Sequence, residues 1–269
     1  MISTEKTQTA GSIVRATAIL QCLSEDIHTV TDIARKCSLS KSTVHRVLKL
    51  LEQSNLVMED NINRRYFLGP LIQQLTANLI TTHQRLILGA IDDMKHLSNV
   101  SRETVAMDIL VGIQYYSLHE IPSQHDLKVT QESKKIGPLY TGMYTGASVK
   151  ALLSLLDDKR LGIFLDNINI SPETERTVTD KVLLMKQIKE IRRDGYTITR
   201  GERIPGVICL SAPVKNYILP VSLVLVGPEN RIQPRLKVYT GELKASAACI
   251  SASIAGIFGE TVNYPNAGR

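Results

Sequence analysis

The strongest constraint on the fold is the run Ser40-Lys41-Ser42-Thr43-Val44-His45-Arg46-Val47-Leu48-Lys49-Leu50-Leu51, which reads as one helix with two incompatible faces. Val44, Val47, Leu48 and Leu51 fall at i, i+3, i+4 and i+7, a single apolar stripe that has to be buried. Ser40 has the side chain to cap the first turn by accepting a hydrogen bond from a free backbone N–H. Lys41, Ser42, Thr43, His45 and Arg46 lie off the stripe, and no carboxylate appears before Glu52. A helix start that is small-tipped, hydroxyl-bearing and positive suits a DNA major groove, where base edges offer donors and acceptors. A solvated basic surface helix would look the same in isolation, so the flanking sequence decides.

Two further stripes lead into this helix. Ala16, Ile19, Leu20 and Leu23 repeat the same spacing, and so do Val30, Ile33, Ala34 and Cys37, with Thr29 or Thr31 as cap. Only Cys37-Ser38-Leu39 separates the second helix from the third, a connection short enough for a helix-turn-helix. The glycine often found in such a turn is absent, so the turn is built from Ser38. After the third helix, Leu56–Glu59 and Arg65–Leu68 are strand-like and flank the turn-rich Asp60–Arg64. Three helices and a hairpin predict a winged helix-turn-helix. Arg64 and Arg65 at the hairpin tip are placed for the sugar-phosphate backbone. The net charge of +6 is compatible with nucleic acid without proving it. Its distribution says more: Arg35, Lys36, Lys41, Arg46 and Lys49 fall between residues 35 and 49, which contain no acid.

At 269 residues the chain suits two modest domains, and its 43% hydrophobic content supports a real core. The polar Met1–Ala10 stretch has no signal-peptide core, and no run approaches the length of a membrane span. The four cysteines, Cys22, Cys37, Cys209 and Cys249, lack metal-ligand spacing. A reduced chain in the cytoplasm, with no cofactor, is the expectation.

From Pro70 to Ser98 a long helical pattern carries Leu71, Leu75, Leu79, Leu86, Ile87, Ile91, Met94 and Leu97, and reads either as a dimer seam or as a simple connector. Beyond it the pattern turns to strands at Glu103–Leu110, Ile113–His119 and Leu127–Gln131. Helices follow at Ser148–Leu156, Lys159–Leu165 and Asp180–Arg193. Strands at Tyr196–Thr199, Val207–Val214 and Leu219–Val226 precede a last helix from Pro234 to Phe258. The fold class is α+β, a mostly antiparallel sheet with helices packed on it.

Two stretches in this half have the makings of a ligand site. Tyr144-Thr145-Gly146-Ala147-Ser148 turns into a helix, whose free N–H groups suit an anion; an ordinary helix start has the same residues. Tyr196–Glu202 leads through Pro205-Gly206 into Val207–Val214, which forms either a pocket wall or a plain hairpin. Arg200 and Arg203 can pair an anion, though solvated surface arginines are the simpler reading.

Taken together, these residues resemble an IclR-type transcriptional regulator. The DNA-binding half is similar through Ser40–Arg46 and Tyr66-Phe67-Leu68-Gly69. The second half is similar through Gly146-Ala147-Ser148 with Lys150-Ala151, Gly195-Tyr196, Gly201-Glu202, Gly206-Val207, Ala212-Pro213-Val214 and Gly227-Pro228. The resemblance implies a winged helix over 11–69, a linker helix over 70–98 and a GAF-like effector-binding domain over 99–260. It also implies a dimer or dimer of dimers on a palindromic double-stranded operator, repressing or activating a catabolic operon. The effector would be a small organic acid or an aromatic compound. On the family pattern, Met143, Gly146, Ala147 and Ser148 line the effector pocket, facing Thr199, Val207 and Cys209. The groove contacts fall to Ser40, Lys41, Ser42, Thr43, His45, Arg46 and Lys49. Thr199 stands where some glyoxylate-type members carry an acid, Val149 replaces a common glycine and Gly142 a frequent proline.

The rival class is a winged helix fused to a metabolic enzyme. Gly142–Lys150 superficially suggests a phosphate loop but lacks the Gly-Lys-Ser/Thr ending. His119, His125 and Asp126 suggest a metal site without helical pairing or a cysteine partner. No Gly-x-Ser-x-Gly elbow is present. A purely architectural DNA-binding protein has no need of the large apolar second half.

Overall fold

The computed structural model describes residues 11–112, 114–130, 144–168 and 170–258, apart from the side chains of residues 78–81. The chain divides into two compact units between Thr82 and His83.

In the first unit, α1 (Ser12–Ser24), α2 (Val30–Cys37) and α3 (Lys41–Gln53) precede an antiparallel hairpin of β1 (Val57–Asp60) and β2 (Arg65–Leu68). Ile19, Leu23, Ile33, Cys37, Val44, Leu48 and Leu51 meet in one core, closed by Val57 and Tyr66 from the hairpin. The stripe of α1 is rotated slightly from the expected one: Ala18 and Cys22 are buried, while Ala16 and Leu20 are only half-buried against the same core. Thr29 caps α2 by accepting from Asp32 N–H at 3.1 Å. At the other end Ser38 takes the left-handed conformation, φ 54°, and Leu39 N–H returns to Ala34 O at 3.0 Å. A serine can thus replace the turn glycine at a cost of about 1 kcal/mol. Gly69 is obligatory: a Cβ there would lie 2.3 Å from the Asn55 carbonyl oxygen.

Helix α4 runs Pro70–Ser101, a turn beyond the expected end. In the second unit its residues Leu86, Ala90, Met94 and Leu97 are fully buried. They cover one face of a five-stranded sheet in the order β4-β3-β7-β6-β5, all neighbours antiparallel. The strands are β3 (Thr104–Val111), β4 (Gln114–Ile121), β5 (Thr197–Arg200), β6 (Val207–Val214) and β7 (Val221–Pro228). Val105, Met107, Ile109, Ile208, Leu210, Leu223 and Leu225 alternate onto the α4 face, where the last helix adds Leu243, Ala247, Ile250 and Ile254. Between β7 and that helix lie one turn of α-helix (Glu229–Ile232) and a 3₁₀ turn (Gln233–Arg235), so the long helix begins at Leu236 rather than Pro234.

The other sheet face is covered by α5 (Ala147–Ser154), α6 (Asp158–Asn167) and α7 (Lys181–Asp194). Val149, Leu152, Leu153, Phe164, Leu184 and Ile188 form their shared core. Every residue of α5 is buried, because it lies between the sheet and α7.

The strand expected at Leu127–Gln131 is not formed over the described residues 127–130. Its backbone is satisfied by side chains instead. Thr104 Oγ1 donates to Val129 O at 2.6 Å, and Arg231 donates to Leu127 O at 2.9 Å while gripping buried Glu103. Gln131 lies outside the described residues.

Candidate functional site: the start of α3 and the start of α5

The start of α3 is built by its own hydroxyls. Ser40 Oγ accepts from Thr43 N–H at 3.1 Å and lies 2.9 Å from Ser42 Oγ and 2.8 Å from Thr43 Oγ1. That cluster fixes the first turn, so Lys41, Ser42, His45 and Arg46 are exposed together on one side while Thr43 is half-buried in the cap. Val44, Val47, Leu48 and Leu51 are buried behind them, so this polar side of the helix is presented outward.

Lys49 is placed differently from the expectation. Its ammonium donates to Glu52 at 2.8 Å and to Glu59 on β1 at 2.7 Å. Donating to those carboxylates holds it above the usual lysine range, and Glu59 is correspondingly held below the usual carboxylate range. Lys49 therefore ties α3 to the hairpin. The spacing to Glu52 was visible in the sequence; the approach of Glu59 was not.

At the hairpin tip Asp60 accepts from Ile62 N–H at 2.9 Å and from Asn63 Nδ2 at 2.7 Å, which tightens the loop. Arg64 takes the left-handed conformation at φ 51°, and both Arg64 and Arg65 are exposed. The hairpin is pinned to the loop before α2, since Tyr66 N–H donates to His28 O at 2.9 Å and His28 Nδ1 lies 2.9 Å from Tyr66 O. A cavity of about 650 Å³ opens beside it, lined by His28, Thr29, Arg35, Lys36 and Arg65 among others. Lys41 and Arg46 on α3 and Arg64 and Arg65 on the wing are exposed, whereas Arg35 and Lys36 on α2 pair with Asp32 and Glu25, and the cavity also carries Asp26 and Asp32.

In the second unit the sheet face under α5 collects small and polar side chains. Thr199 pairs in register with Cys209, Cys209 with Val226, and Asp108 with Ser222. Gly146 opens α5 at φ 83° and ψ 159°, a conformation essentially reserved for glycine, with Arg203 Cδ only 3.2 Å from where a Cβ would stand. The N–H groups of Ala147 and Ser148 point at the Cys209 sulfur. Burial pushes that thiol up to about 12, helped by the charge of Asp108 and opposed by Arg203 and the two N–H groups. The Ser148 hydroxyl donates to Asp108 Oδ2 at 2.5 Å and lies 3.2 Å from Ser222 Oγ. It faces the sheet.

The start of α5 is held by an ion pair that sequence reasoning did not identify. Lys150 Nζ donates to both Glu202 oxygens, at 2.6 and 2.7 Å, and Gly146 N–H donates to Glu202 Oε2 at 3.2 Å. The two side chains are only 1% and 9% exposed. Burial lowers the lysine, and Glu202 opposes that. The 52-residue separation hid the pair, although both residues had stood out in the sequence.

Arg203 is not the solvated arginine expected. It donates to Tyr115 Oη at 2.8 Å and approaches Glu173 at 3.9 Å, passing over Gly146 on the way. Arg200 is exposed beside Gln233. Of the expected effector-pocket residues, Gly146, Ala147, Thr199 and Cys209 converge, Val207 packs at the margin with Cys209, and Met143 lies outside the described residues. His119 and His125 join no group able to hold a metal among the described residues.

Two protein families match this chain. Bacterial transcriptional regulator IclR C-terminal matches residues 72–252, and the IclR helix-turn-helix domain matches residues 12–61. The chain is 27% identical over 248 residues to the HTH-type transcriptional regulator KdgR of Escherichia coli K12, covering 91% of this chain and 92% of that protein. It is 25% identical over 244 residues to the HTH-type transcriptional repressor AllR of the same strain, covering 89% and 88%. An IclR homolog from Microbacterium hydrocarbonoxydans, solved in complex with 4-hydroxybenzoate, shares the fold with a TM-score of 0.69 at 20% identity, over 91% of this chain and all of that one. Among the described residues no helix is long and apolar enough to cross a membrane.

Proposed function

We propose, for a chain that belongs to the IclR family of bacterial transcriptional regulators, that it binds a palindromic double-stranded operator as a dimer or dimer of dimers. In this reading it controls a catabolic operon in response to a small organic acid or aromatic metabolite. Membership of a family of regulators removes the enzyme fusion as an alternative.

The observation that carries the effector reading is the convergence of the α5 N-terminus on Thr199 and Cys209. Gly146 N–H is already committed to Glu202, while the next two N–H groups, at Ala147 and Ser148, turn toward Cys209, so an anionic group of the effector would meet them there. A carboxylate or phenolate oxygen is the acceptor that such a pair accommodates best. The 4-hydroxybenzoate held by one solved relative is a molecule of this chemistry. The effector site comprises Gly146, Ala147, Thr199, Val207 and Cys209, with Ser148 contributing its N–H.

On the DNA side, Lys41, Ser42, His45 and Arg46 contact base edges, Ser40 and Thr43 hold the helix start, and Arg64 and Arg65 grip phosphates. Effector binding that favours one arrangement of two winged helices shifts operator affinity by its differential energy for the two states.

A thermal-shift screen of the full chain against small organic acids and hydroxybenzoates tests this. A ligand of the folded state adds about 2.7 kcal/mol at a hundred times its dissociation constant. The expected hit is lost in Gly146→Trp and changes affinity for a duplex selected from random sequence. Silence across the panel, with DNA binding intact, overturns the effector reading.

A further inference from the structure

The first unit holds a feature that DNA recognition does not use. Cys22 on α1 and Cys37, the last residue of α2, are both buried in the shared core. Their sulfurs lie 3.4 Å apart, close enough for one thiol to donate to the other. Beside them Lys36 pairs with Glu25 at 3.5 Å across the same α1–α2 seam. The Cys22 S–H, together with Lys36, favours the thiolate at Cys37, and the Cys22 thiol is correspondingly raised. With the two sulfurs within reach of each other, Cys37 can act as the nucleophile and Cys22 as the resolving thiol once peroxide reaches them.

We propose that Cys22 and Cys37 form a peroxide-responsive dithiol whose oxidation to an intramolecular disulfide weakens DNA binding. The Cys37 thiolate attacks one oxygen of hydrogen peroxide, giving a sulfenic acid and hydroxide, which takes up the proton Cys37 had lost. The Cys22 sulfur then attacks the sulfenic sulfur, and water leaves with the Cys22 proton. The balance is two thiols and one peroxide to one disulfide and two waters.

The consequence follows from position. A disulfide holds its sulfurs at about 2.05 Å, so these two must approach by about 1.4 Å. A close-packed core passes that displacement on instead of absorbing it. Cys37 leads directly into Ser38, already left-handed, then Leu39 and the cap Ser40. The contraction therefore reaches the start of α3, where groove contacts tolerate only about 0.5 Å of misplacement.

The experiment uses the full chain carrying Cys249→Ser, which removes the exposed thiol and its intermolecular disulfides. The reduced protein is treated with hydrogen peroxide, digested with trypsin without reductant and weighed, while affinity for its selected duplex is followed by anisotropy. We expect a cross-link between the peptides 16–35 and 37–41 and at least a tenfold loss of affinity, both reversed by dithiothreitol. Cys22→Ala and Cys37→Ala should each bind DNA when reduced and ignore peroxide. Absence of the cross-link overturns the proposal, as does a cross-link with unchanged affinity. An equal peroxide response in the alanine variants would place the effect elsewhere and overturn it too. If one alanine variant fails to fold, the other decides. The cross-link is read by mass, so its absence is distinguishable from a failure of the DNA-binding reading.

Discussion

Replacing Glu202 by Gln removes one charge beside the start of α5 and keeps the side-chain shape. The amide still presents an oxygen to Gly146 N–H, but Lys150, 1% exposed, keeps an ammonium that lost its counter-charge at 2.6–2.7 Å. Breaking a buried pair from one side costs about 3–5 kcal/mol at pH 7, a large share of the roughly 5–15 kcal/mol that holds a typical domain together. With a urea dependence of about 2 kcal/mol/M, the unfolding midpoint falls by roughly 1.5–2.5 M. Lys150→Met combined with Glu202→Leu removes both charges and should cost much less than the sum of the single changes. The pH dependence supplies an independent check. Burial sets the folded lysine below its ordinary value. Between the two values the unfolded chain binds more protons, so stability rises with pH there. Losing the charge of Glu202 lowers the folded value further and widens that window. The deficit of Glu202→Gln should therefore shrink between pH 7 and pH 10. Urea melts of the five proteins (wild type, Glu202→Gln, Lys150→Met, Glu202→Leu and the double variant) at both pH values measure all of this. A deficit below about 1 kcal/mol, one that ignores pH, or additive single changes would refute the reasoning.

Arg46→Ala should weaken binding to the selected duplex by about 1–3 kcal/mol and relax specificity at one base pair, whereas Arg64→Ala should weaken all sequences alike and lower the salt slope by about one. Competition binding over a salt series separates the two. Gly146→Ala forces a side chain into glycine-only backbone against Arg203 and should cost about 1–3 kcal/mol, with effector affinity falling in calorimetry; unchanged stability would refute the strained-turn account. Cys209, raised to about 12, should alkylate far more slowly with iodoacetamide at pH 8 than exposed Cys249, as peptide masses will report.

Local physics made the winged helix legible. The stripe on α3, the cap at Ser40 and the three-residue turn each depend on neighbours within about one or two helical turns, and periodicity displays such relations directly. The order of strands and helices in the second half could be read for the same reason, with ends displaced by a few residues. The segment after Pro122 failed as a strand because nothing local says that its carbonyls go to Thr104 and Arg231 rather than to a ladder.

Helix α5 shows where that legibility stopped. Buried on all sides, it has no polar face to give it a period, and its lysine reads as solvent-facing until Glu202 arrives from 52 residues away. The same holds for Glu59 on Lys49, Tyr115 and Glu173 around Arg203, and the sulfur of Cys22 against Cys37. The sequence by itself determined most of the helices and strands and the two faces of α3, because backbone hydrogen bonding and apolar periodicity act over short chain distances. Only the tertiary structure decided which charges are spent on each other and which groups meet at the start of α5, because those pairings depend on chain segments that meet only once the core has closed.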